Sequence, residues 1–513
     1  MADCGWVASS VPIKPRFPGP AAAAARPSWT SAHSFFWPLL VAAGFTLAQL
    51  LLVAPHLGLS WDEVVYVSQV SDHAPAAYFD PARARGVPLL VAPVTLLTSS
   101  VLALRIYLSV LSGLGLYLAL LAWRGLRPAW QLALAGVFFG SLWTAQYYGP
   151  QAMPDEWLAF SALAAAGLFM QTVSADGPAE SVRPRRAPMA GLAGCLALAA
   201  LIRPGDAIYL TAVLALAVLL VRRWRKPVLL AAIVAGFAGG AADWVAEAWI
   251  RFGSPLARLR AAGAEQGGFG LHLAIWDELR AVNGPTLCRP CTIGLRYPAI
   301  SLWWLALPVL VTLGVLAARR SGRLDSALLA TAGGLGVAFQ YLFLIGYAAP
   351  RFLLPGYALA AIPVADAAGW LVTGLRGRTR LAVVAALAVC ALAQLGVQTT
   401  VLRHQVGEKV AFFGDYTRIA ADLHKLGIRQ PCLVKGEQNI PVAFYAGCTS
   451  AGSLRSARLS HPAEPVVVLV GPGQRPPAYT ATWTRHLLPG TRTTLLRLIA
   501  YTPTASPRAT AGG

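Results

Sequence analysis

A succession of apolar runs, each long enough to cross a hydrocarbon layer, governs what this chain can become. A helix needs roughly 20 apolar residues to span a bilayer, and such runs recur from Phe35 to Gln398 with short polar gaps between them. Backbone groups in lipid must find partners within their own segment, so the runs must be helices. We place spans at Phe35–Leu57, Leu104–Trp123, Gln131–Tyr148, Trp157–Met170, Met189–Ile202, Ala207–Val221, Pro227–Ile250, Pro298–Ala317, Ser326–Gly346, Phe352–Val372 and Leu381–Gln398. That makes about eleven helices, the fifth and sixth short and separated by Arg203-Pro204. Val87–Thr98 is apolar but short and carries Pro88 and Pro93, which predicts an interfacial or re-entrant helix. Composition agrees. Only 12% of the residues are charged, against about a quarter in a soluble domain, and the mean hydropathy is +0.57.

The formal net charge is +20, which raises nucleic acid as a partner. The distribution of that charge argues against it. Arginines and lysines fill the short gaps at Arg124/Arg127, Arg183/Arg185/Arg186, Arg222/Arg223/Arg225/Lys226, Arg319/Arg320/Arg323 and Arg376/Arg378/Arg380, all on one side of the span register. This is the positive-inside pattern of cytoplasmic loops, and no basic stripe interleaved with aromatics is present. The N-terminus, with Lys14, Arg16 and Arg26, falls on the same side. The opposite side then receives Asp62-Glu63, Asp155, Arg203, the long loop Arg251–Tyr297 and the C-terminus. The expected location is a multi-pass cell membrane protein with a cytoplasmic N-terminus.

Residues 1–34 are rich in Pro, Ala and Ser and read as a disordered tail, lacking a cleavable signal pattern. Residues 35–402 form the transmembrane domain. From residue 403 the character changes: Glu408–Leu426 can form an amphipathic helix, and Cys432–Val434, Val466–Val470 and Leu495–Tyr501 read as short strands. We expect a small extracytoplasmic α/β domain over 403–502 and a disordered tail over 503–513. The fold class is therefore an α-helical polytopic membrane protein with a small α/β domain outside.

Cysteine placement follows this topology. Cys195 and Cys390 lie in spans and Cys4 in the N-terminal tail, while Cys288, Cys291, Cys432 and Cys448 fall outside, where disulfides persist. Cys288-x-x-Cys291 could serve redox chemistry or zinc, but a single pair is a weak metal signal. Structural disulfides Cys432–Cys448 and Cys288–Cys291 are preferred, the first being the easier pairing.

The polar residues at the outer edge carry the functional argument. Asp62-Glu63 follow the first span directly, where acids do nothing for insertion and are costly to desolvate. Asp155, after Pro154, begins the fourth span, where an acid also suits a helix N-terminus; Glu156 fits that structural role better. Arg203, in Leu201-Ile-Arg-Pro-Gly-Asp206, breaks the charge bias; it can snorkel, pair with Asp206 or hold a phosphate in its planar fork. Arg351, in Tyr347-Ala-Ala-Pro-Arg351, offers the same choice, and Arg105 begins the second span. Arginines and carboxylates facing one water compartment suit acid/base chemistry on an anionic headgroup. A carboxylate can deprotonate an acceptor hydroxyl while arginines, or a metal, stabilise a departing phosphate. A sugar on a lipid phosphate supplies that leaving group.

On these motifs the chain resembles the GT-C superfamily of membrane glycosyltransferases, in the branch holding the protein O-mannosyltransferases and the bacterial aminoarabinose transferases. The resemblance rests on Trp61-Asp62-Glu63-Val-Val-Tyr66, Ala103-Leu104-Arg105, Pro154-Asp155, Leu201-Ile202-Arg203-Pro204 and Arg351-Phe352-Leu353-Leu354-Pro355, in that order relative to the spans. It implies a GT-C-like fold and inverting transfer from a polyprenyl-phosphate sugar to a glycan, lipid or protein acceptor at the outer face. It implies Asp62 as general base or acceptor-orienting group, with Glu63 and Asp155 supporting it. Asp62 and Asp155 are also the candidate ligands of a divalent metal ion. Arg203, Arg351 and Arg105 would hold the donor phosphate, and Tyr66 and Tyr347 would contact substrate. The family's first loop often has a His-Pro-Pro-type segment where this chain reads Gly86-Val87-Pro88, so that histidine's role is not carried over; His272 in the long loop is the candidate substitute. A multi-pass transporter or lipid flippase is the alternative. Against it, the acids lie at the outer edge and no inverted repeat relates the two halves.

Overall fold

The computed structural model describes residues 33–174, 185–268, 270–451, 464–489, 491–493 and 496–504. The readings made for residues 1–32, Arg183 and 505–513 lie outside them. Helix α1 (His33–Leu52) leads through a loop carrying two short helices, α2 (Trp61–Val67) and α3 (Gly86–Thr95), into α4 (Val101–Leu121). Next come α5 (Ala129–Gly140) and α6 (Trp143–Tyr148), then α7 (Asp155–Val173), α8 (Arg186–Ile202), α9 (Pro204–Leu220) and α10 (Pro227–Phe252). The long loop after α10 holds α11 (Pro255–Gln266) and α12 (Ile275–Val282), after which α13 (Pro298–Arg320), α14 (Leu324–Phe343), α15 (Leu354–Gly374) and α16 (Gly377–Lys425) complete the helical domain.

Eight of these helices, α1, α4, α7, α10, α13, α14, α15 and α16, are long and apolar enough to cross a membrane. Helices α5, α8 and α9 are shorter apolar helices occupying the remaining stretches that the sequence marks as spans. Outward faces carry Leu47, Leu118, Leu216, Val309 and Leu392, all more than half exposed, as helices bathed in lipid require. Helix α7 sits at the centre, packed on α4, α8, α14 and α15.

The third span departs from its expected form, because the helix breaks at Ser141-Leu142 between α5 and α6. Side chains satisfy the freed backbone groups: Gln146 Nε2 donates to Gly140 O (2.6 Å), and Trp143 N donates to Gln398 Oε1 (2.7 Å). A broken helix is tolerated at membrane depth only with such internal partners.

Helix α16 runs unbroken for 49 residues through the position where the sequence changes character. No proline interrupts it. At 1.5 Å per residue it measures about 73 Å, long enough to exceed a bilayer's thickness and form the first element of an outer domain, outside the helical bundle.

That domain is a five-stranded mixed sheet, built from β1 (Leu433–Gly436), β2 (Thr449–Ser450), β3 (Val466–Val470), β4 (Thr484–Leu487) and β5 (Ile499–Thr502) in the order β2-β1-β3-β5-β4. β1 is parallel to β2 and β3, and β5 is antiparallel to β3 and β4. Every residue of β3 is buried, as a central strand covered on both faces should be. The Cys432–Cys448 disulfide joins the starts of β1 and β2, and α17 (Asn439–Ala446) makes the crossover between them.

The outer domain is docked on the first loop. Leu59 N donates to the Tyr445 hydroxyl at 3.0 Å. A methyl group added at Gly58 would stand 3.1 Å from Phe413 Cβ, so the glycine permits this close approach.

Candidate active site

The base of the site is an ion pair with no exposed surface. Glu63 and Arg105 are each 0% exposed. Arg105 donates to both Glu63 oxygens, the Nη2–Oε2 bond being 2.9 Å, and to the carbonyls of Leu57 (3.2 Å), Gly58 (2.5 Å) and Pro150 (2.8 Å). Glu63 also accepts from Ser60 N (3.0 Å), starting α2, and from Ala152 N (2.9 Å) in the turn before α7. These two residues belong to the sequence-derived sets of catalytic acids and phosphate ligands. In the structure their charges are matched to each other, and the pair ties the first loop, α4 and the 150–152 turn together. The adjacent carboxylate, Asp62, has different partners.

Asp62 meets two guanidinium groups. Arg83 Nη2 donates to Oδ1 at 2.6 Å and Arg351 Nη2 to Oδ2 at 3.1 Å. Burial pushes the Asp62 carboxyl up, but Arg83 and Arg351 outweigh it and hold it down at about 2. Arg351 continues inward, its Nε 3.2 Å from Asp155 Oδ2 in an ion pair without hydrogen-bond geometry. Arg203 Nη1 donates to Asp155 Oδ1 at 2.5 Å, and Arg203 Nε lies 3.2 Å from Asp206 Oδ1. Asp206 in turn accepts from the Tyr341 hydroxyl (2.7 Å) and Gln340 (2.7 Å). Four sequence-derived candidates, Asp62, Arg351, Asp155 and Arg203, thus form one chain of alternating charge, drawn from α2, the segment before α15, α7 and the α8–α9 break.

Arg83 is the member that sequence reading missed. Its loop is fixed by Arg258, wholly buried, which donates to Pro81 O (3.0 Å) and Arg83 O (2.9 Å). Gly86 lets that loop approach α8: a methyl group there would come within 2.7 Å of Ile202 Cα. The Arg83 guanidinium also lies over the Tyr66 ring, 4.7 Å from its centroid. Tyr66, a candidate substrate contact, therefore has one face covered by Arg83. Tyr347, the other, is half-buried, packs edge-on to Phe352 and has Arg289 5.0 Å above its ring. His272 stands half exposed, 3.7 Å from Asp277 on the long loop.

The long loop positions Arg351. The Cys288–Cys291 disulfide closes a small ring, and Cys288 exchanges both backbone hydrogen bonds with Ala348, at 2.8 and 3.2 Å. Asp62 and Arg351 open onto a cavity of about 300 Å³ between the helical and outer domains. Its other walls come from Tyr148 and Gln151, from Thr286 and Leu287, and from Lys409, Phe412, Tyr416 and Gln438. The long loop and the α16 extension therefore complete the enclosure.

Both oxygens of Asp62 and both of Asp155 face guanidiniums, so a divalent ion there would have to displace Arg351, Arg203 or Arg83 from them. Among the described residues no three His, Cys, Asp or Glu side chains gather as a metal cluster.

No family profile and no curated protein matches this chain. Solved structures do. ArnT from Cupriavidus metallidurans bound to undecaprenyl phosphate superposes with a TM-score of 0.63 at 15% identity, over 92% of this chain and 98% of ArnT. Its apo state gives 0.59 at 16% identity, over 91% and 98%. The Archaeoglobus fulgidus oligosaccharyltransferase tethered to an acceptor peptide gives 0.48 at 14% identity, over 81% and 64%. The chain thus shares the fold of ArnT over nearly its whole length.

Proposed function

We propose that the chain is an integral membrane glycosyltransferase that moves a sugar from a polyprenyl-phosphate donor to an acceptor hydroxyl at the outer face of the membrane. The observation that carries this reading is the Asp62–Arg351–Asp155–Arg203 chain, one end of which opens onto a cavity. The ArnT-like fold supports it, since that neighbour was solved with undecaprenyl phosphate.

The step is a single displacement. The acceptor oxygen forms a bond to the anomeric carbon as the bond from that carbon to the phosphate oxygen breaks, inverting the centre. The electron pair leaves with the phosphate, which Arg351 and Arg203 receive, and the hydroxyl proton passes to Asp62. A carboxylate held at about 2 by two guanidiniums is a poor base. A donor phosphate competes for Arg351, and each hydrogen bond it takes from Asp62 raises that carboxyl toward its ordinary value. Base strength then appears only with donor in place. Arg83 stays on Asp62 and fixes its orientation, while Glu63 and Arg105 hold the scaffold.

The positive loops support a cytoplasmic N-terminus. Arg127 and Arg323 both reach Asp366, past the middle of α15 from Arg351, at 2.7 and 3.5 Å, so those loops gather away from the site. The outer domain then lies on the extracytoplasmic side. Comparing surface glycans of cells with the protein, without it, and with Asp62→Asn tests the reading. Loss of one glycan substituent in the last two supports it, whereas unchanged glycans together with lipid flipping in liposomes support a transporter.

A further inference from the structure

The cavity has two chemically different walls. Asp62 and Arg351 form one. The other is the face of α16 beyond the membrane, and the reaction gives it no task.

Lys409 is the telling residue on that face. It is half-buried, yet among the described residues it makes no ion pair with a carboxylate; its ammonium lies 5.4 Å from the centroid of the Phe412 ring. Its neighbour Glu408 is engaged elsewhere, by Arg296 and His404, each at 2.9 Å. A cation lining a cavity without an anion of its own is a place for one from outside. Beside it stand Phe412 and Tyr416, edge to face at 5.7 Å, and Tyr416 stacks on Phe413 at 6.0 Å with 18° between the planes. Gln438 closes the floor by accepting from the Tyr416 hydroxyl at 2.8 Å. It is the non-glycine residue held at positive φ (54°) among the described residues, a conformation that persists where surrounding structure imposes it. Aromatic faces next to hydrogen-bonding edges suit the C–H faces and hydroxyls of a sugar ring, and about 300 Å³ is at the lower end of the range for small-molecule sites.

We propose, on the glycosyl-transfer reading above, that this face of α16 is the acceptor subsite, and that it takes a saccharide carrying an acidic group, carboxylate or phosphate. Lys409 pairs with the acid, Phe412 and Tyr416 support the ring, and a hydroxyl is presented across the cavity to Asp62. The outer domain thereby selects the acceptor, while the helical domain holds the donor.

The test uses the full chain in nanodiscs, titrated with methyl glucuronide and methyl glucoside by saturation-transfer NMR. The charged sugar should bind at least tenfold more tightly. Lys409→Gln should erase the difference, Lys409→Arg should keep it, and Phe412→Leu should weaken both sugars. Equal binding of the two sugars by the parent, or a charge preference that survives Lys409→Gln, overturns the proposal. So does displacement by inorganic phosphate or by an acidic tripeptide as strong as that by the charged sugar, because a bare anion site or a peptide site would then suffice. Undecaprenyl phosphate binding is read separately in the same discs. It should stay within twofold in Lys409→Gln; its absence from the parent would instead fail the donor reading and leave the saccharide result legible.

Discussion

Arg351 joins two carboxylates with one guanidinium: its Nη2 is 3.1 Å from Asp62 Oδ2 and its Nε 3.2 Å from Asp155 Oδ2. The residue is contributed by the segment before α15, while the acids come from α2 and α7. Three parts of the chain, 289 residues apart at the extremes, are tied at a single side chain. Whatever displaces Arg351 must change both acids together.

Arg351→Ala should therefore weaken undecaprenyl phosphate binding at least tenfold and lower transfer by about 10² to 10³, the usual effect of removing one donor to a developing negative charge. Arg351→Lys should recover little, because an ammonium cannot span both carboxylates as the planar fork does. Binding titrations and single-turnover transfer on the purified variants check both statements.

Asp62 should give stability an acid limb. Its folded value, about 2, lies below the unfolded 3.8, so its contribution is complete above pH 4 and is lost as pH falls from about 4 toward 2. The thermal-unfolding midpoint of the parent should fall more steeply over that window than that of Asp62→Asn. Equal slopes would mean that the carboxylate has no such partners in solution.

Much of this architecture was open to sequence reading, for a physical reason. Lipid forces long apolar helices, and the sign of the loop charge marks the sides, so the spans and the common sidedness of Asp62, Asp155, Arg203 and Arg351 could be read directly. Pairing was not legible. Glu63 and Arg105 are 42 residues apart, and composition does not reveal that one neutralises the other. Arg83 was not legible either: Arg83 and Arg85 beside Asp80-Pro81 have the composition of a solvated turn, and no pattern in the sequence marks the contact with Asp62. Lys409 was hidden within an amphipathic pattern, where a lysine is ordinary. The break at Ser141 was hidden too, since its partner Gln398 comes from α16.

Breaking the buried pair should be severe. Arg105→Met leaves Glu63 buried without its counter-charge, and should cost about 3–5 kcal/mol, seen as loss of folded protein in detergent or a lowered midpoint. Glu63→Gln should do comparable harm. The double variant Glu63→Gln/Arg105→Met should be less harmful than the sum of the singles, since it removes both charges.

The Cys432–Cys448 bridge closes a separation of 16 residues, for which chain entropy gives about 3 kcal/mol. Cys432→Ser should lower the midpoint of the outer domain accordingly. After mild reduction of intact cells, a membrane-impermeant thiol reagent should label Cys432 and Cys448 and spare Cys195. Labelling that requires permeabilised cells would reverse the proposed orientation.

The most direct measurement is transfer by purified Asp62→Asn, reconstituted with lipid-linked sugars extracted from the membranes that supply the parent's activity. The substitution keeps the size of the side chain and removes only its charge. The account predicts normal insertion, undecaprenyl phosphate binding within a fewfold of the parent, and transfer lowered by at least about 10². Transfer at the parent's rate from a correctly folded Asp62→Asn protein would contradict it.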